Sequence, residues 1–156
     1  MTVPEASAVV ARLAAGIKQL EPVLSEHGFK LASRDAGNGS GGQLATADFT
    51  KGDRTLHLWL RGQSLSVRYD IAGRELTHSD YMRELLGAGG DNKFPSFSED
   101  APEAFRALRH DLQRFGQGFL SGDGSDYRRC WEAAQQDSQR SGLQRLARIE
   151  QQLKGD

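Results

Sequence analysis

The chain has 156 residues, about one ordinary domain, and its 20 basic and 21 acidic residues leave a formal net charge of -1. That balance excludes a nucleic-acid binder held by bulk positive charge and an acidic disordered tail, and the single cysteine excludes a disulfide scaffold. The 33 Leu, Ile, Val and Phe residues suffice for one core and not for two.

Val9, Leu13, Ile17, Leu20 and Leu24 recur at spacings of three and four, which predicts an amphipathic helix. Thr2 with Glu5 three residues on makes a capping-box pattern, and Pro4 suits the first turn. Pro22 removes a backbone donor, so a kink or short break is expected near Leu20–Glu21. Gly28 ends the helix in a left-handed conformation, with Phe29 as its hydrophobic partner. Glu5, Arg12 and Lys18 interrupt any signal-like apolar run, and no stretch is apolar enough to span a bilayer. A cytoplasmic protein without membrane association is the expectation.

Beyond Gly28 the apolar period changes from helical to alternating. Phe29–Leu31 opens a first strand, and a Gly-rich loop, Gly37–Gly42, leads into strands over 44–50, 55–61 and 64–71. Lys51-Gly52-Asp53-Arg54 and Arg61-Gly62-Gln63-Ser64 are tight hairpin turns with Gly at the first central position. Pairing Lys51 with Arg54 sets Phe49, Ala47 and Ala45 opposite Leu56, Leu58 and Leu60. Pairing Arg61 with Ser64 sets those same leucines opposite Tyr69, Val67 and Leu65. Both turns yield one apolar face, which a slip of one residue would destroy.

After Gly73 the chain is expected to leave the sheet. Thr77 or Ser79 caps a short helix carrying Tyr81, Met82, Leu85 and Leu86, stopped by Gly87. Asp91–Ser98 is a loop whose Phe94 and Phe97 plug the core. Ser98 caps a further helix with a stripe of Phe105, Leu108, Leu112, Phe115 and Phe119. A last helical region over 126–154 is expected to weaken or break near Ser141-Gly142. Its first half buries Tyr127, Cys130, Trp131 and Ala134. Its second half presents Leu143, Leu146, Ile149 and Leu153, which need a partner surface; packing in cis is expected, a second copy being the other choice.

The predicted fold is α+β, an antiparallel four-stranded meander packed on one face by N-terminal and C-terminal helices. It forms a single domain over 1–156, with 142–156 a candidate semi-independent C-terminal helix. The chain is expected as a monomer, or as a homodimer through that helix.

The same register fixes the opposite face of the sheet. Asp48, His57 and Arg68 fall in one row, Thr46 and Ser66 flank Trp59, and Arg61 stands near the hairpin end. Such a row can orient an imidazole or grip an anion, but no nucleophile or metal partner joins it, and charge pairing on a solvated sheet accounts for it. Trp59 is either covered by the C-terminal helix or exposed as a contact anchor, Trp and Arg being common interface hot spots. Asp48, His57, Trp59, Arg61 and Arg68 are therefore the candidate surface for binding another protein. Within Thr77–Tyr81, capping accounts for Thr77, Ser79 and Asp80. His78 and Tyr81 remain as an alternative pocket for a small molecule or an enzymatic reaction.

Other motifs have plainer readings. The Gly37–Gly42 loop joins two strands and lacks the Lys-Ser/Thr of a phosphate cradle. Asp123–Asp126 lacks the alternating ligands of a calcium loop and reads as a helix cap. The four histidines show no metal spacing, so neither metal nor cofactor is expected. Arg128, Arg129, Arg140, Arg145 and Arg148 are nearly cancelled by Glu132, Asp137 and Glu150, and no aromatic platform accompanies them, so no nucleic-acid partner is expected.

Leu20-Glu-Pro-Val-Leu24 before His27-Gly-Phe29, His78-Ser-Asp-Tyr-Met82, and Phe94-Pro-Ser-Phe-Ser98 resemble small uncharacterised bacterial proteins of this length, over residues 20–122. The resemblance implies a bacterial cytoplasmic origin and assigns no catalytic residue. The expected function is that of a non-enzymatic interaction domain (an adaptor, chaperone-like or immunity-type protein) using the polar face of the sheet.

Overall fold

A first helix, α1 (Glu5–Glu26), leads into an antiparallel sheet of β1 (Lys30–Gly39), β2 (Gly42–Lys51), β3 (Arg54–Arg61), β4 (Ser64–Ile71) and β5 (Arg74–Thr77), whose spatial order follows the chain. Four helices follow, α2 (His78–Leu86), α3 (Ala101–Phe115), the short α4 (Gln117–Leu120) and α5 (Ser125–Lys154). The computed structural model describes residues 5–39, 42–87, 89–95 and 100–154; Thr2, Pro4, Phe97 and Ser98 lie outside them.

The sheet pairs in the register that the turns imply. Leu58 lies opposite Ala47 on one side and Val67 on the other, and all three are buried. Gly52 and Gly62 adopt φ near +59°, which an L side chain resists and glycine accepts. The apolar face of the sheet and the stripe of α1, from Val9 to Leu24, belong to one core. Gly16 of α1 lets α3 come close: a Cβ there would stand 2.3 Å from the Phe105 ring.

The sheet departs from expectation in two places, the second of which adds a fifth strand to the four expected. β1 is not confined to Phe29–Leu31, because a bulge between Leu31 and Ser33 lets the pairing run on through Gly37, Asn38 and Gly39. Most of the supposed Gly-rich loop is therefore strand. Nor does the chain leave the sheet at Gly73. Ala72 (φ 54) and Gly73 (φ 85) form a two-residue hairpin with positive φ at both centres, the geometry of a type I′ turn. The Arg74–Thr77 strand then pairs Arg68–Ile71.

The helices depart from expectation at their ends. α1 passes Pro22 as one unbroken helix of 22 residues, its exposed proline lying near the C-terminal end. Thr77 caps α2, its hydroxyl accepting the Asp80 N–H at 3.1 Å. α3 begins at Ala101 with Asp100 at the N-cap position and Pro102 in the first turn. Phe119 sits on the separate turn α4 rather than on the same helix as Phe105. α5 is continuous through Ser141-Gly142 for 30 residues. Its last four large apolar residues, Leu143, Leu146, Ile149 and Leu153, are exposed and do not pack in cis.

Candidate functional site

Strands β2, β3 and β4 carry the candidate surface because alternate residues of a strand point to opposite faces. Leu56, Leu58 and Leu60 are buried, whereas His57 and Trp59 between them are only half-buried. Among the described residues, α5 packs on α2, α4 and β5 rather than over β3. Trp59 owes its partial cover to its own face of the sheet. The Arg68 guanidinium lies 5.3 Å from its ring centroid, and the His57 ring stacks on it at 5.7 Å and 29°.

Asp48, His57 and Arg68 are direct cross-strand neighbours. His57 Nδ1 is 2.7 Å from Asp48 Oδ1, and the Ser33 hydroxyl donates to the other carboxylate oxygen at 3.2 Å. Asp48 thus fixes the imidazole. Arg68 does not join this pair through its charge. Its guanidinium turns to Trp59 and to Glu75, whose carboxylate is 3.8 Å away on β5. Arg61 is exposed at the end of β3 and makes no ion pair among the described residues.

β5 pairs only with Arg68–Ile71, so Ser64–Val67 of β4 extend beyond it. A cleft of about 610 Å³ opens there, within the size range of ligand sites. Trp59, Arg61 and Arg68 line it together with Thr77, the cross-strand partner of Arg68, and with His78 and Phe94.

His78 and Tyr81 do not meet in that cleft. Tyr81 is fully buried, edge-on to Tyr69 and Tyr127, and its hydroxyl has no hydrogen-bond partner among the described residues. Burial holds that phenol protonated, far above the ordinary tyrosine range. His78 is buried with both ring nitrogens engaged: Nδ1 is 2.6 Å from the Tyr69 hydroxyl and Nε2 is 2.9 Å from an Asp111 carboxylate oxygen. Neither nitrogen is left for a substrate.

Asp111 is the polar residue that patterning missed. Burial alone would raise its pKa. Hydrogen bonds from His78, the Lys93 N–H, His110 and the Phe94 N–H outweigh that and hold it below the usual carboxylate range. A signal was present, since Ala101, Ala104, Leu108 and Asp111 follow a three-four-three spacing and are all buried. Arg54 does more than close a turn. Its buried guanidinium donates to the carbonyls of Phe119, Ser121 and Gly122, while Lys51 donates to that of Leu120. Two cations thus satisfy the free carbonyls at and just beyond the end of α4.

The described residues contain no cluster of His, Cys, Asp and Glu able to hold a metal ion, and no helix long and apolar enough to cross a membrane. Asp123 accepts the Ser125 N–H at the start of α5, in keeping with a cap. Compared with protein-family models, with curated proteins and with solved structures, the chain has no match.

Proposed function

We propose that the chain is a cytoplasmic protein-interaction domain, of the adaptor, chaperone-like or immunity type, that binds its partner through the open face of the sheet. The observation that supports this most is the grouping of Trp59, Arg61 and Arg68 beside a cleft, on a sheet face over which the described helices do not pack. An indole offers apolar area at low entropic cost, and two guanidinium groups offer directional hydrogen bonds; both types are enriched in hot spots. The Asp48–His57 pair stiffens the neighbouring row and helps to hold Trp59 in place.

The test is capture of partners from a lysate of the source organism, using the wild-type chain and a Trp59→Ala/Arg68→Ala variant. The contact between Trp59 and Arg68 is worth about 0.5–1 kcal/mol at an exposed site, so the variant should keep its stability to within about 1 kcal/mol. Partner binding should weaken by about 2 kcal/mol or more. Identical capture by both chains would exclude this face as the binding surface.

A further inference from the structure

The first half of α5 is held by the body of the protein along one line. Tyr127, Cys130, Ala134 and Asp137 follow a three-four-three spacing, the first three are buried, and the groove between α2 and α5 continues along Ser141 and Gln144. Carried forward, that line reaches Arg148 and Gln151, which are polar. The apolar residues Leu143, Leu146 and Leu153 each stand two places further on, about 200° round a helix of 3.6 residues per turn. They therefore face away from the body. Leu143, Leu146, Ile149 and Leu153 are 67%, 59%, 47% and 72% exposed, and with Leu31 they are the large exposed hydrophobics among the described residues.

We infer that this outward face of α5 is a self-association surface, on which further copies of the same chain pack in parallel as a short coiled coil. Leu146, Ile149 and Leu153 are spaced three and four apart, which makes them a, d and a positions of a heptad, with Gly142 at the preceding d. In that register Arg145 occupies a g position and Glu150 the e position five residues on. A parallel pair brings Arg145 of one copy against Glu150 of the other, twice by symmetry. Neither side chain forms an ion pair within its own chain among the described residues.

The antiparallel alternative brings no such charge pairs together and sets Leu153 against Gly142 instead of against a second Leu153. Leu at a with Ile at d favours more than two strands, and Leu143, at an e position, widens the apolar face in the same sense. Four partly exposed aliphatic side chains offer less than the roughly 800 Å² per partner of a standard interface. The association is therefore weak and concentration-dependent.

Sedimentation of the full chain from low to high micromolar concentration should show a mass rising above 17.1 kDa towards a multiple of it. A Leu146→Ser/Ile149→Ser variant, altered only on the exposed face, should weaken assembly roughly tenfold or more. Glu150→Arg should also weaken assembly, and adding Arg145→Glu should restore it, which a merely sticky apolar face would not do. Direction is read from Gly142→Cys, where a side chain meets nothing within 4 Å: mild oxidation should link copies through equivalent positions, while the native Cys130 stays buried. A chain that stays monomeric throughout, or assembly indifferent to Leu146 and Ile149, would overturn the inference. So would a failure of the charge swap to restore assembly, or binding to phosphatidylserine vesicles with no change of mass in solution.

Discussion

An ionised carboxylate removed from water costs several kcal/mol unless its oxygens are satisfied, and Asp111 meets that condition with four donors from three parts of the chain. His78 comes from the start of α2, Lys93 and Phe94 from the following loop, and His110 from α3 itself. The folded-state pKa lies below the ordinary Asp value of about 3.9. The network therefore contributes in full above that value, and its contribution is lost as pH falls through the lower folded value. Asp111→Asn puts an amide nitrogen where an acceptor is needed, and about 2–4 kcal/mol should be lost at neutral pH. The gap from wild type should narrow as pH falls below about 4, where the unfolded chain's carboxylate takes up its proton, and should be smallest below the lower folded value. Urea melts across pH read both quantities, and a gap independent of pH would mean that the charge of Asp111 plays no part. Ala72 is the opposite case, a residue that opposes its own backbone. At φ 54 it sits where an L side chain costs about 1–2 kcal/mol. Ala72→Asn would supply the Asn-Gly pair that a type I′ turn favours, so stability should rise by about 0.5–1 kcal/mol. A lower urea midpoint would show that the turn holds Ala72 for another reason.

Among the elements, those with a strict period and a tight turn were legible from sequence, and those set by distant partners were not. The β2–β3–β4 pairing follows from two glycine turns and an apolar face that tolerates no slip, and the observed partners of Leu58 are the expected ones. Leu58→Ala would open a cavity between Ala47 and Val67, and should cost about 2–5 kcal/mol in a urea melt. A loss below 1 kcal/mol would mean that the α1 side of the core collapses into the gap. β5 was missed because its turn begins with alanine, which carries no turn signal, and because four residues show no period. The row of Asp48, His57 and Arg68 was visible as a row, but the turning of Arg68 to Trp59 and Glu75 depends on side-chain packing that pairing rules do not reach. In α5 the signal was real and its meaning was different. The apolar phase jumps by two residues near Ser141-Gly142, as it would at a helix break. Here the helix is continuous and only the side it offers to an apolar partner changes.

For the molecule as a whole, that change of side separates what folds the chain from what can join it to others. The core draws on residues from Val9 to Ala134, and beyond Ala134 no described hydrophobic residue is buried. Stability follows buried area, so truncation after Gly142 should leave the core intact. At a concentration low enough to keep the full chain monomeric, the two proteins should melt within about 2 °C of one another, since surface changes are usually within about 0.5 kcal/mol. Concentration then distinguishes them. If copies associate through α5, mass action stabilises the folded full chain as concentration rises, and its melting temperature climbs. The truncated chain has no such reservoir, so its melting temperature should not move. Calorimetry at two concentrations for each protein gives four values, and the expected pattern is three equal and one higher. A truncated chain that melts much lower even when dilute would show that residues 143–156 stabilise the monomer directly, despite the outward direction of their apolar side.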